Sequence, residues 1–130
     1  INDATATQIV LGTEYYDTAN GFASNTYTIP SGQAGKYHLY FNINAYDAGD
    51  SLVRIIAMLY KNGSSVADLT HYTSVVNGRL NVGGSAVLDL SAGDELKLYG
   101  YLDTADGTSS AAVGDNAELH TYFGGYKLIE

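Results

Sequence analysis

Several residue types are absent or scarce in this chain, and each absence narrows the functions open to it. There is no cysteine, so disulfide bonds and thiolate metal sites are excluded. Six lysine and arginine residues stand against fourteen acidic ones, a formal net charge of −8, and no basic cluster could contact phosphates. No apolar run approaches the roughly 20 residues that cross a bilayer. The sequence therefore argues against nucleic-acid partners and against membrane insertion.

Length and residue pattern both indicate one all-β domain that spans residues 1–130. Splitting the chain would leave two pieces too small for good cores. No window carries apolar residues at helical spacing through three turns, whereas alternation recurs. In "KYHLYFNINAY" the odd positions from Tyr37 to Ala45 are apolar and alternate with His38 and Asn42. This pattern predicts a strand with one face in a core.

The next segment, Leu52–Tyr60, alternates differently, because both of its faces are apolar and both are expected to be buried. The "KNG" that follows predicts a hairpin turn, since Asn and Gly both tolerate positive φ. Further strands bring the total to about eight to ten, which predicts a sandwich or jelly roll. The first face of Leu52–Tyr60 holds Val53, Ile55, Ala57 and Leu59, and the second holds Ile56, Met58 and Tyr60. The further strands lie in "TQIVLG", in "NTYTIP", around Val66 and Leu69, and at Ser85–Leu90, Glu95–Leu102 and Glu118–Ile129.

Few groups suggest catalysis. Asp47 and Asp50 stand in "YDAGD", and Asp103 and Asp106 stand in "DTAD". Such pairs would suggest a glycosidase, but they lie between predicted strands, where acids commonly form turns, and nothing nearby would raise a carboxyl pKa. The histidines are isolated, without metal-ligand spacing, so only a site assembled across strands stays open; they are His38, His71 and His120. We therefore predict no enzyme.

Tyrosine is the unusual element of the composition. There are 12 tyrosines and no tryptophan, and most tyrosines fall at the ends or on the polar faces of predicted strands. A tyrosine offers an apolar ring and one polar tip. Such rings can cover a sheet, line a subunit interface or stack on a sugar, and the sequence leaves these three uses open.

Five short motifs follow one another between residues 8 and 129. "YDT" at Tyr16 precedes "YTIPSGQAGKYHLYF", "LYKNG", "GGSAVLDLSAGDELKL" and the closing "YFGGYKLI". In this order and spacing they resemble the complement C1q globular-head family, which belongs to the tumour-necrosis-factor-like jelly rolls. Vertebrate members commonly carry cysteine and tryptophan and often more lysine and arginine. The resemblance is therefore to a bacterial or bacteriophage type.

The resemblance implies an antiparallel ten-stranded jelly-roll sandwich. It also implies a homotrimer, usually the terminal head of a longer fibrous chain, that works by binding rather than catalysis. The second apolar face of Leu52–Tyr60 agrees with burial between subunits. From this we predict trimer contacts by Ile56, Met58, Tyr60, Tyr122 and Tyr126.

Calcium is possible but not indicated, and no other cofactor is expected. Some members of the family hold calcium with carboxylates from the loop before the strand that begins here at Ser85. The corresponding segment, His71–Gly84, contains no acid. A different oxygen-rich site remains open at a loop cluster, from Asp47, Asp50, Asp103, Asp106 and Asp115.

Three functional hypotheses follow. The first is the receptor-binding head of a homotrimeric fibre at an extracellular or virion surface, such as a phage tail fibre or bacterial surface protein, that recognises a cell-surface glycan or protein. The second is a purely structural knob that trimerises and caps a fibre, and the third is an accessory carbohydrate-binding module or hydrolase. Exposed loop side chains are the predicted ligand-binding residues: Tyr46, Asp47, Asp50, Tyr72, Asp103 and Asp106.

Overall fold

The computed structural model describes residues 1–107, 112–113 and 120–129, and within these ranges all regular structure is β-strand. The predicted all-β class is confirmed. In this part of the chain we find no helix that could cross a bilayer. The strands are β1 (Thr7–Gln8), β2 (Phe22–Ala23), β3 (Thr26–Thr28), β4 (Gly35–Tyr46), β5 (Leu52–Lys61), β6 (Ser64–Asn77), β7 (Arg79–Leu90), β8 (Glu95–Thr104), β9 (Ala112–Val113) and β10 (Tyr122–Lys127).

The strands form two sheets. In the first sheet the order is β2-β3-β8-β5-β6, and β1 also pairs with β8. In the second sheet the order is β10-β4-β7, and β9 also pairs with β4. Every pairing is antiparallel, so each sheet can bury one face and leave the other free.

The core lies between the two sheets, and the alternation read from the sequence places it there. Along β4 the odd positions are buried while the even ones are more exposed, as the period of two requires. β5 and β8 oppose them with their own alternate positions. Close packing of the two inner faces stabilises the sandwich. The buried set includes Tyr37, Leu39, Phe41, Ile43, Ala45, Ile55, Ala57, Leu59, Leu96, Leu98 and Leu102.

One position in β5 departs from the prediction. Val53 was expected on the buried face with Ile55, but the register of β5 against both neighbours shifts between Leu52 and Arg54. Leu52 is fully buried as a result, and Val53 is only partly buried. The irregularity offsets the alternation by one residue.

The predicted hairpin turn is confirmed between β5 and β6. Asn62 and Gly63 have φ of 50° and 85°, the positive values that a two-residue hairpin loop requires. β10 begins at Tyr122, later than the predicted strand start at Glu118, which lies outside the described residues.

Candidate functional site

The residues predicted to make subunit contacts lie on the outer faces of two different sheets. Ile56 pairs with Tyr101 in the first sheet, and Met58 and Tyr60 follow on the same face of β5. Tyr122 and Tyr126 lie in the second sheet. The five residues predicted as trimer contacts do not form one continuous patch on a single chain. The predicted contacts therefore belong to two separate surfaces.

The outer face of the second sheet is lined with aromatic rings, and we call it the tyrosine face: Tyr16, His38, Tyr40, Val87, Tyr122 and Tyr126. Ring centroids lie 5.2 Å apart for His38 and Tyr126 and 6.2 Å apart for Tyr40 and Tyr122. The Tyr16 and Tyr40 hydroxyl oxygens are 3.4 Å apart. This hydrogen bond, followed by burial, raises the pKa of Tyr40 above its ordinary value.

The exposure of two side chains on the tyrosine face points to a covering surface. Val87 and Tyr126 are each 56% exposed, an unusual state for large apolar side chains that lie side by side on a sheet. Between them, Nδ1 of His38 is buried and has no hydrogen-bond partner among the described residues. A buried polar atom without a partner is costly, but this atom is enclosed within the chain, so a second surface would contact the exposed side chains of Val87 and Tyr126.

The outer face of the first sheet carries a second group, which we call the arginine strip: Arg54, Tyr60, Tyr72, Tyr99, Tyr101 and Asp103. Arg54 Nη2 donates to the Tyr101 hydroxyl at 3.0 Å and lies 3.0 Å from Asp103 Oδ2. The Arg54 guanidinium carbon is 4.9 Å from the centroid of the Tyr101 ring. Tyr72 is opposite Arg54 on β6. Two of the predicted ligand-binding residues, Tyr72 on β6 and Asp103 on β8, therefore lie on either side of Arg54. Their predicted place in loops is wrong, because both belong to strands.

Sequence reasoning missed Arg54 as a member of this group. The sequence contains one indication of this group: Tyr99, Tyr101 and Asp103 alternate along β8, which places all three side chains on one face. The pairing of β5 between β6 and β8 then sets Arg54 among them, and that pairing is a tertiary fact.

The other predicted ligand-binding residues gather where β4 ends. Asp47 is only 6% exposed, and its Oδ2 accepts from the Ser51 backbone N–H at 3.0 Å and from the Ser51 hydroxyl at 2.8 Å. These hydrogen bonds lower the pKa of Asp47. The Ser51 hydroxyl also lies 3.4 Å from Asp106 Oδ1, and Asp50 N donates to Asp47 O. Asp47 is thus engaged in holding the loop.

Tyr46 lies beside this loop and is exposed. Its ring contacts the guanidinium of Arg79, with 5.3 Å between the guanidinium carbon and the ring centroid. Arg79 Nη1 in turn donates to Asn44 Oδ1 at 3.2 Å. The exposed Tyr46 ring therefore has one polar neighbour, Arg79, that is itself hydrogen-bonded to β4.

The oxygen-rich site considered for calcium is not assembled in the part of the chain that the structure describes. There, no three acidic or histidine side chains converge as metal ligands. Asp103 is paired with Arg54 and Asp47 with Ser51, while Asp115 lies outside the described residues.

No protein-family model and no curated protein matches the sequence. Among solved structures, the globular domain of zebrafish complement 1qA protein is similar, with a TM-score of 0.62 over 98% of this chain and 93% of that one. The chain has the fold of a C1q globular domain. Sequence identity to this C1q domain is 17%. The fold resemblance inferred from the five motifs is confirmed.

Proposed function

We propose that this C1q-like domain is the non-enzymatic binding head of a homotrimeric fibre, displayed outside the cell or on a virion. The observation that carries the proposal is the uncovered tyrosine face, where Val87 and Tyr126 lie exposed together on a C1q-like fold. A neighbouring copy would cover these two side chains.

A cyclic trimer needs two different, complementary patches on each copy. The tyrosine face is one candidate. The other is β6, the last strand of the first sheet. Long exposed edge strands are usually covered or charged, yet β6 exposes a row of apolar side chains and pairs on one side only among the described residues: Val66, Leu69, Val75 and Val76.

The oligomeric state tests the first half of the proposal. We expect multi-angle light scattering and native mass spectrometry to give three copies. Val87→Lys with Tyr126→Lys should give folded monomers, because two like charges would be buried without partners. Ala92→Lys, in the exposed turn before β8, lies outside both patches, so it is the matched control and should remain trimeric. A monomeric wild-type protein with native circular dichroism would contradict the proposal.

The partner we propose is a cell-surface glycan or protein, as for a phage tail fibre or a bacterial surface protein. Support comes from the exposed Tyr46 ring, from Asp50 and Asp106 in the loops near Asp47 and Ser51, and from Tyr72 and Asp103. Fluorescently labelled trimers should adsorb to some members of a panel of bacterial cells. No adsorption to any cell, with a stalk region that adsorbs alone, would refute the binding role.

A purely structural knob is the alternative, and the tyrosine face favours it equally because it concerns assembly alone. In that case changes at Tyr46, Asp50 and Tyr72 would leave the function of the parent fibre intact. Deletion of residues 1–130 would leave its stalk unassembled. The two sets of variants separate the alternatives.

A further inference from the structure

We propose that the arginine strip binds an uncharged polysaccharide across the outer face of the first sheet. This inference rests on the proposed binding function, and it names the site and the ligand class. The strip lies on the sheet opposite to the tyrosine face. A trimer that forms through the tyrosine face and β6 therefore leaves the strip open except at Tyr72, which lies on β6, and Tyr60 then lies outside the trimer contacts.

The central part of the strip is held in place before any ligand arrives. Arg54 Nη2 contacts both the Tyr101 hydroxyl and the Asp103 carboxylate, each at 3.0 Å, and its guanidinium lies over the Tyr101 ring. These contacts fix one ring, one donor group and one acceptor group relative to each other. Binding then costs little side-chain entropy.

The tyrosines extend this centre into a row across three strands. Tyr99 and Tyr101 are two residues apart on β8, so their rings emerge about 7 Å apart on one side. Tyr60 of β5 stacks on Tyr99, with ring centroids 4.2 Å apart and planes at 18°. Tyr72, at the other end of the row, is 69% exposed. The row is an extended platform rather than a closed pocket.

The chemistry of the platform matches a neutral sugar chain. The exposed Tyr72 ring, and the ring faces not already covered by the Tyr60–Tyr99 stack or by Arg54, offer apolar contact to the C–H groups of a pyranose. The phenol, guanidinium and carboxylate groups can exchange hydrogen bonds with hydroxyls. Arg54 and Asp103 neutralise one another, so the strip has no net charge to attract an ion. The whole chain carries −8, which repels anionic polysaccharides.

A protein partner fits this strip less well. A stable protein interface needs a sizeable, well-packed apolar centre. On this face Ile56 and Met58 are partly buried, and the large exposed apolar group of the strip is the ring of Tyr72.

The intact protein tests the proposal. Cellohexaose, chitohexaose and mannohexaose would be titrated against it, with heparin and hyaluronan as anionic probes, and binding followed by calorimetry and by intrinsic tyrosine fluorescence. We expect a neutral probe to bind with an affinity that changes less than about twofold between roughly 50 and 500 mM salt. Neither anionic probe should bind.

Variants locate the site. Tyr72→Ala and Tyr101→Phe should each weaken binding of that probe, the first by about tenfold because a stacking ring is lost. Tyr15→Ala is the matched control, because Tyr15 is also 68% exposed but lies outside the strip, and its affinity should equal that of the wild type. Light scattering on each variant should report an unchanged assembly.

Three results would overturn the inference: no neutral probe binds, an anionic probe binds with strong salt dependence, or Tyr72→Ala binds as the wild type does. Trimers that bind no sugar but adsorb to cells through a protein would also overturn it, while leaving the proposed binding function intact. A wild-type protein that neither trimerises nor adsorbs to cells would instead contradict the proposed function itself.

Discussion

Nζ of Lys61 lies 2.9 Å from the carboxylate of Asp94 and joins the β5–β6 hairpin to the turn before β8. Ser91 N and Asn62 Nδ2 also donate to this carboxylate, each at 2.8 Å. The Lys61 hydrogen bond, with those from Ser91 and Asn62, lowers the pKa of Asp94 to about 2. The "GD" of this turn therefore joins two hairpins. We call the contacts of Asp94 with Lys61, Asn62 and Ser91 the latch.

The latch predicts a specific acid sensitivity. Because the pKa of Asp94 is lower folded than unfolded, its contribution to stability is fully present above about pH 4 and is lost as pH falls towards 2. Urea unfolding near neutral pH should show Asp94→Asn to be less stable than the wild type. By about pH 2 the difference should shrink, and Asp68→Asn, an exposed change on β6, should show neither effect. A difference that stayed constant with pH would rule out the latch.

Asp47 is predicted to act in folding. Asp47→Ala would leave the Ser51 N–H and hydroxyl without their acceptor in a buried place, at a cost of about 1–3 kcal/mol. Asp50→Asn is the control, because Asn tolerates the positive φ of 53° found there. Chemical denaturation at fixed protomer concentration measures both. Equal stabilities for the two variants would return Asp47 to the candidates for ligand binding.

Substitution of Phe41 tests whether the core lies between the two sheets. Its side chain is buried on β4 beside Gly84 and Phe123 of the adjacent strands. Phe41→Ala should lower the free energy of unfolding by about 3–5 kcal/mol. Thr70→Ala on β6 should change it by no more than about 0.5 kcal/mol. A small effect at Phe41 would mean that the two sheets do not pack as described.

A substitution at Gly124 should change trimer assembly without changing the fold of the single chain. A Cβ at this position would lie 2.6 Å from the Tyr40 ring. The contact is with the far end of that side chain, which can shift at the expense of its contacts with Tyr16 and Tyr122. Gly124→Ala should therefore keep native circular dichroism but weaken the proposed trimer, since the tyrosine face is reshaped. Dilution series by mass photometry would show dissociation at higher concentration than for the wild type. Gly107→Ala is unsuitable as a control because its φ of 65° adds strain, so Ser31→Ala, in the exposed turn before β4, serves instead.

The parts of the fold that depend on local pattern were predictable from the sequence. Alternation identified β4 and its buried face, and "KNG" identified the hairpin, since Asn62 and Gly63 are the residues that a positive-φ turn favours. The one-residue shift at Val53 was not predictable, because an irregular register leaves no mark in the hydrophobic pattern.

The surfaces were harder to predict than the strands. The alternation of side chains along each strand predicts that Met58 and Tyr126 point away from the core. It does not show that these two residues lie on different sheets. Strand partners far apart in sequence decide that. For the same reason the sequence does not show that Tyr72 and Asp103, both predicted as ligand-binding residues, lie on either side of Arg54. Arg54 was therefore not predicted as part of this group.

The central strand of the second sheet sets the order in which this protein can fold. β4 pairs Phe41 with Gly84 on one side and with Phe123 on the other, so its two partners lie far downstream in the chain. Such distant pairings make closure slow and leave little structure that a partial chain can hold. A growing chain would carry β4 half-paired until residues 122–127 emerge. Any assembly that needs this domain folded must therefore follow synthesis of residues 122–127.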